Sequence, residues 1–513
     1  MRVTIRLASL VLAFALAAAF AAQAAAATPP CTSQTSGGEW PSYGHDAANT
    51  RSQPDEHGLG PVAVATLAPA WVFSTSSTGD STGFNTTPVV YGGCVFIGSS
   101  GGVVYALDAQ TGKVVWQHKV DAPNPGSGGA IVGAGAVDGS AIVFLVNEFT
   151  APYVIALDRS TGNVVWQSPP FAPALTSSAA QAGSYTNASP IVANGYVVAG
   201  YSPPEGDSTA TGGFSLIDAA TGQVVTTTPT IPAADQAQGY SGGGLWSTPA
   251  YDPATEYVYY GAGNPGSKDK QHPNTDAILK IDVDPARSTF GQIVASYQGN
   301  VDQYSSALET LSQTPACQLS ANPAIPDPLD DPVCGQLDLD FGAAANLFKS
   351  SDGTELVGDL QKSGVYHVAD AATMKPAWTA LVGASCQVCN AASTAFDGSS
   401  IEGVGTPGGT MFSLARDTGT TDWLSPVGDG IHYQSVSTAD GVVWTVDGDG
   451  NLDAFNAANG EPLARRPLSV DAGAPVTSIT SAGVSIAEHE VFAAAGGLSY
   501  ETAPGYVVAY RAG

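Results

Sequence analysis

A strand–turn–strand pattern recurs along most of this chain. Val103-Val104-Tyr105-Ala106-Leu107-Asp108-Ala109-Gln110-Thr111-Gly112-Lys113-Val114-Val115-Trp116 reappears almost intact from Tyr153 to Trp166, and a third copy runs from Phe214 to Gly222. Weaker copies centre on Asp282, Asp370, Ala415 and Asn456, and a partial one closes the sequence at Val507-Val508-Ala509-Tyr510-Arg511. In the clear copies alternating apolar residues predict a strand and Asp-x-x-Thr-Gly predicts a tight turn. The second strand ends in Trp in the best two. The Gly suits a positive φ and the Asp side chain suits the turn amides. A further apolar strand lies ahead of a copy after a Gly turn, as in Pro88 to Gly98, which gives about four strands per unit, the content of a propeller blade.

Eight copies predict eight blades. The last copy stops at Gly513 before its Thr-Gly-x-x-x-Trp part, while Leu67-Ala68-Pro69-Ala70-Trp71-Val72-Phe73 reads as a Trp-bearing outer strand with no inner strands before it. Complementary ends that complete one blade would remove the exposed edges of an open array. The expectation is therefore an all-β chain, an eight-bladed β-propeller closed by pairing of its N- and C-terminal strands. The longest interval, between Asp282 and Asp370, holds a Pro/Asp-rich loop bracketed by Cys317 and Cys334.

Composition agrees. With 60 Gly and 35 Pro among 513 residues, turns are plentiful, and charged residues make up only 12%. Few Lys, Glu, Arg or Met leave little material for long amphipathic helices. Forty-five acids against 17 Lys and Arg give a net charge of −28 with no basic cluster, which argues against nucleic-acid or anionic-membrane partners. Histidines stand at no zinc-binding spacing. Ser241-Gly242-Gly243-Gly244 leads into a strand rather than a helix and is no phosphate loop, and Gly448-Asp449-Gly450-Asn451 reads as a hairpin turn.

Residues 1–27 read as a signal peptide. Arg2 and Arg6 precede an apolar run from Leu7 to Ala22, and small residues follow. Residues 28–66 read as an N-terminal extension and 67–513 as the propeller, with the Cys317–Cys334 loop as an insertion. Secretion, or export to the periplasm or cell envelope, makes the six cysteines expected disulfides. Spacing pairs Cys317 with Cys334 and Cys386 with Cys389, leaving Cys31 for Cys94. Asn390 follows the Cys386–Cys389 pair, so this CxxC lacks the His of a covalent haem site.

The Ala-Leu-Asp-x-x-Thr-Gly-x-x-x-Trp repeat resembles the tryptophan-docking repeat of pyrroloquinoline quinone (PQQ) propellers. The opening Trp40-Pro41-Ser42-Tyr43-Gly44-His45-Asp46-Ala47-Ala48-Asn49-Thr50-Arg51 is similar to that of quinoprotein alcohol dehydrogenases and polyvinyl-alcohol dehydrogenases. The same repeat occurs in non-catalytic relatives resembling an outer-membrane assembly lipoprotein, so function has to be argued from the site.

Five segments carry the resemblance to the enzymes. Gly200-Tyr201-Ser202-Pro203-Pro204-Glu205-Gly206 is similar to the stretch that supplies a calcium-binding Glu, with Ser202 beside the cofactor. Tyr260-Gly261-Ala262-Gly263-Asn264-Pro265 resembles the one that supplies an Asn ligand. Leu337-Asp338-Leu339-Asp340-Phe341-Gly342 resembles the segment of the catalytic Asp, with Leu339 where the family has Trp. Leu360-Gln361-Lys362-Ser363-Gly364 resembles the place where a basic residue reaches the quinone carbonyls. Gly244-Leu245-Trp246-Ser247-Thr248-Pro249 resembles the stretch whose Trp stacks under the quinone.

The resemblance thus implies PQQ and calcium as cofactors, with Glu205, Asn264 and Asp340 as metal ligands and Asp340 as the catalytic base. Trp246, Lys362 and Ser202 would bind the quinone. Calcium takes hard oxygen donors and acts as a Lewis acid. A carboxylate suits abstraction of an alcohol proton, and an ammonium suits developing negative charge. The implied activity is alcohol oxidation by hydride transfer to PQQ, with a separate electron acceptor, for which the negative charge favours a basic redox protein. The alternative is a non-catalytic propeller that binds protein or polysaccharide.

Overall fold

Strand periodicity in the repeats becomes sheet structure throughout. The computed structural model describes residues 31, 36–125, 129–173, 186, 188–203, 209–266, 270–300, 339–383, 390–406, 409–428, 433–476, 483–496 and 503–513. These form eight sheets of four antiparallel strands, one of which gains a short fifth strand, Ser52–Gln53, in parallel. The first blade is Val89–Tyr91, Cys94–Gly98, Val103–Asp108 and Val114–Lys119. Neighbouring first strands touch from the second blade round to the first, so they form the inner wall of a closed ring. No helix among the described residues is long and apolar enough to cross a membrane.

The eighth blade is assembled from both ends of the sequence. Ala68–Ser74 pairs antiparallel with Tyr506–Arg511, with Trp71 opposite Ala509. The partial eighth copy and the lone outer strand before the first copy are thus one sheet, as their sequences predict. Cys31 is disulfide-bonded to Cys94 in the first blade. Cys317, Cys334, Cys386 and Cys389 lie outside the described residues.

Blades dock through the repeat itself. Trp71, Trp116, Trp166, Trp378 and Trp423 each donate the indole N–H to a backbone carbonyl of the next blade's turn, at 2.8 to 3.1 Å. The Gly of that turn lies under the indole. A Cβ on Gly162, whose φ is +72°, would stand 2.6 Å from Trp116. One residue type therefore meets two demands, a left-handed backbone and an absent side chain. Replacing Gly162 with Ala should cost about 3 kcal/mol, from strain plus overpacking. At Gly353, where φ is +89° and nothing lies within 4 Å, Ala should cost only the strain, about 1 kcal/mol. Urea denaturation of the two variants measures the difference.

The fourth-to-fifth junction departs from this scheme. Ala295 holds the Trp position and Met374, at φ +55°, holds the Gly position, and both pack in one apolar cluster. The carbonyl of Ala371, which an indole would have reached, instead accepts from Tyr259 Oη at 2.8 Å and Lys280 Nζ at 2.8 Å. A larger residue fills the turn where the indole is missing, which is why this copy is faint in the sequence.

Residues 40–53 run inside the ring against the inner strands. Trp40 exchanges backbone hydrogen bonds with Val90 of the first blade, at 2.7 and 2.9 Å. The carbonyls of Pro41, Ala47, Ala48, Thr50 and Arg51 accept from Val137, Tyr251, Leu347, Phe396 and Thr438, the inner strands of the second, fourth, fifth, sixth and seventh blades. Gln53 Nε2 reaches the Ile486 carbonyl of the eighth at 3.2 Å. Thus the extension ties seven of the eight blades. Arg51 is fully buried and donates to the carbonyls of Val436, Tyr43 and Val484 and to Ser437 Oγ. Its guanidinium stacks on Tyr43 at 4.7 Å and Trp40 at 5.6 Å.

Candidate active site

Five of the six candidate residues fall in described segments. All five stand on one face of the ring, in connections that either join second to third strands or lead into first strands. Asp340 enters the fifth blade and Lys362 sits between Glu355–Leu360 and Val365–Asp370 of the same blade. Asn264 follows Tyr257–Gly261 of the fourth blade, Trp246 leads into that blade, and Ser202 follows Tyr196–Tyr201 of the third. Segments far apart in sequence meet here because every blade delivers its loops to the same mouth.

Asp340 is at the centre and buried. Its Oδ1 accepts the Asn264 backbone N–H at 2.5 Å and its Oδ2 pairs with Lys362 Nζ at 2.6 Å. The Lys362 N–H in turn donates to the Asp340 carbonyl at 3.0 Å, so backbone and side chain hold the two residues together. Lys362 Nζ lies 5.1 Å from the centroid of the half-buried Trp246 ring. Glycines make these approaches possible. A Cβ on Gly263 would stand 2.6 Å from Asp340 Oδ1, and one on Gly342 would stand 2.3 Å from the Trp246 ring.

Ser202 completes the patch. Its Oγ would stand 2.6 Å from a Cβ on Gly244, two residues before Trp246, and Gly244 accepts the Gly263 N–H at 2.8 Å. This hydroxyl is buried yet has no hydrogen-bond partner among the described residues. Asn264 is half-buried and its side-chain amide makes no hydrogen bond among the described residues. Glu205 lies outside the described residues. Leu339, at the position where the resembled family carries Trp, is buried.

A side-chain network that sequence reasoning did not find is built on the two residues flanking Lys362 in sequence. Gln361 Oε1 accepts from Ser363 Oγ at 2.7 Å and lies 3.1 Å from His367 Nε2, while Tyr297 Oη sits 3.0 Å from His367 Nδ1. Burial holds the His367 imidazole neutral, with its pKa pushed down to about 3. The same ring packs edge-on against Phe341 at 5.3 Å. No spacing announces such contacts, since they join side chains from three strand ends.

Two carboxyls in the second strands of the fifth and sixth blades, Asp359 and Glu402, are completely buried, and burial pushes both well above the ordinary carboxylate range. The native state therefore binds protons that the unfolded chain has released. Their contribution to stability is fully present below pH about 4 and is lost as pH rises through the folded-state value. Glu402→Gln should accordingly leave the melting temperature near pH 4 unchanged and raise it by about 1–3 °C at pH 8. Thermal scans across that range check the sign.

The donors present suit the cofactors that the sequence resemblance implies. A carboxylate and an amide oxygen are the hard donors calcium takes. A flat indole with an ammonium over it and a buried hydroxyl without a partner among the described residues suit a planar, oxygen-rich anion. Among the described residues no three His, Cys, Asp or Glu side chains gather as a metal site.

Residues 40–270 match the family described as "Glucose/ethanol/alcohol dehydrogenase, beta-propeller domain". The chain is 26% identical over 441 residues to the polyvinylalcohol dehydrogenase of Sphingopyxis sp. (strain 113P3), covering 78% of this chain and 62% of that relative's length. Among solved structures it superposes on the quinohemoprotein alcohol dehydrogenase ADHIIG of Pseudomonas putida HK5 with a TM-score of 0.70 at 17% identity, over 95% of this chain and 83% of that one. It also superposes on BamB from Moraxella catarrhalis with a TM-score of 0.55 at 14% identity, over 87% of this chain and 99% of that one. These structural likenesses concern the fold alone. The chain is an eight-bladed β-propeller that resembles the quinoprotein alcohol dehydrogenases.

Proposed function

We propose that this chain is an exported, PQQ- and calcium-dependent dehydrogenase that oxidises an alcohol and passes the electrons to a separate acceptor. The observation that carries the reading is the buried Asp340–Lys362 pair against Trp246 and Asn264. A scaffold that binds protein or polysaccharide on its rim has no use for that arrangement. Export is supported by the Met1–Ala27 segment and by the Cys31–Cys94 disulfide, which suits an oxidising compartment. The net charge of −28 favours a basic redox partner.

Asp340 and Asn264, with Glu205, would hold the calcium ion, and Trp246, Lys362 and Ser202 would hold the quinone. Bound there, the quinone would supply the hydride acceptor and calcium a Lewis acid. The chain's own part is to position the alcohol and move its proton. Asp340 Oδ1 is fixed by the Asn264 N–H, and Oδ2, paired with Lys362 Nζ, is the oxygen that receives the hydroxyl proton. Protonation of Oδ2 weakens the pair with Lys362 Nζ, and the ammonium's charge then becomes available within the site. Burial of both groups excludes water and strengthens each interaction.

Reconstitution of the purified chain with calcium and PQQ tests the reading. The expected result is retained quinone absorbance and dye reduction with a primary, secondary or polymeric alcohol. Loss of all quinone on desalting, together with no dye reduction by any alcohol, would sink it.

A further inference from the structure

On the opposite face of the ring, the turn between Val484–Ala487 and Glu490–Ala495 carries an arrangement that alcohol oxidation does not use. Its central residues, Glu488 and His489, have φ of +53° and +63°. Two-residue hairpins usually reserve such angles for Asn-Gly. A strained backbone at a histidine points to a role for that side chain.

The contacts of His489 define the role. Its Nδ1 lies 2.9 Å from Glu56 Oε1, and its backbone N–H donates to Glu56 Oε2 at 3.0 Å. Glu56 is fully buried and also accepts the Gly58 N–H at 2.6 Å. An ionised carboxylate only accepts, so the imidazole proton resides on Nδ1 and Nε2 is left as a lone-pair acceptor. Ser36 Oγ stands 2.9 Å from Nε2, exposed to solvent. Gly37 and Gly38 follow, at φ +84° and +69°, and their N–H groups have no hydrogen-bond partner among the described residues.

Buried carboxylate, imidazole of fixed tautomer, exposed hydroxyl and adjacent free amides occur in the order that activates a serine nucleophile. We propose that Ser36, His489 and Glu56 form a second site that hydrolyses short-chain carboxylic esters. Ser36 Oγ bonds to the acyl carbon as its proton passes to His489 Nε2, and the adjacent glycine amides are the donors for the carbonyl oxygen. The bond to the leaving alcohol breaks as Nε2 returns that proton to the alcohol oxygen. Water then adds to the acyl carbon and gives a proton to Nε2. The carboxylic acid departs and the proton returns to Ser36. The exposure of Ser36 restricts the substrates to small acyl groups that need no deep pocket. Nothing in this site depends on quinone or calcium.

The full chain, incubated with a fluorophosphonate probe or with p-nitrophenyl acetate, tests the proposal. Peptide mass mapping should find the probe on Ser36, and the ester should give a nitrophenol burst. Ser36→Ala should lose both while melting at the wild-type temperature. His489→Asn should slow labelling about 100-fold or more. Because His489 also holds its turn, His489→Gly, which suits the φ of +63°, gives an independent readout: added imidazole should restore its labelling of Ser36. No adduct on Ser36, an equal rate in His489→Asn, or no rescue by imidazole would each overturn the proposal.

Discussion

Asp340→Asn is expected to lower kcat of the reconstituted protein about 1,000-fold, the upper-middle of what a lost general base costs. The fold should survive, because the Asn oxygen still accepts the Asn264 N–H that Asp340 Oδ1 accepts at 2.5 Å. Stability should nonetheless fall. Lys362 would lose the carboxylate 2.6 Å from its ammonium, and breaking a buried pair costs about 3–5 kcal/mol unless the lysine gives up its proton. The double variant Asp340→Asn/Lys362→Met removes the stranded charge. It should recover much of the melting temperature and none of the turnover. Steady-state dye reduction and thermal scans of the three proteins separate the chemical from the structural role. Intact turnover in Asp340→Asn would show that another group takes the proton.

Arg51→Ala is expected to cause the largest loss of stability among single changes away from that site, about 4 kcal/mol or more. The fully buried guanidinium donates to carbonyls of three separate segments, so alanine strands those acceptors and leaves a cavity. Among the described residues no carboxylate pairs with it. Burial lowers its pKa to about 10, which still leaves it charged at neutral pH. Arg51→Lys should fare little better, because a lysine keeps the charge but not the planar fork that reaches Val436, Ser437 and Val484 together. Urea denaturation gives the magnitude. Amide exchange should quicken first at residues 436–438 and 484–486, where the seventh and eighth blades lose their shared tie.

The architecture was readable because each blade is specified locally. Asp158 Oδ1 accepts turn amides from Ser160 and Thr161, Gly162 supplies the left-handed turn and Trp116 docks beneath it, all within one repeat and its neighbour. The split blade was readable for the same reason, since Trp71 and the strand at Tyr506–Arg511 each kept their half of the pattern. The path of residues 40–53 was not readable, because its hydrogen bonds go mainly to backbone carbonyls and amides, which every sequence has. At the fourth-to-fifth junction the signal was absent because Met374 and Lys280 do the work of Gly and Trp by other means. For the candidate site, motif resemblance named Asp340, Lys362, Asn264, Trp246 and Ser202, and the ring brings them together. His367 and Gln361 were invisible because their roles arise from contact across strands. Ser36, Glu56 and His489 were invisible for a related reason, with 433 residues separating the carboxylate from its imidazole.

The path of residues 40–53 also sets a timetable. Made before any complete blade, this segment waits for nearly the whole chain, since Gln53 bonds a carbonyl 433 residues later at Ile486. Contacts of such sequence separation form late and slow the overall rate. Blades close locally, one after another, while the leading segment has no place to settle. Only when the last inner strand stands beside the first can the segment bond to the whole set. It therefore acts as a late latch across the seven blades it bonds, and a shorter or stalled product lacks that tie.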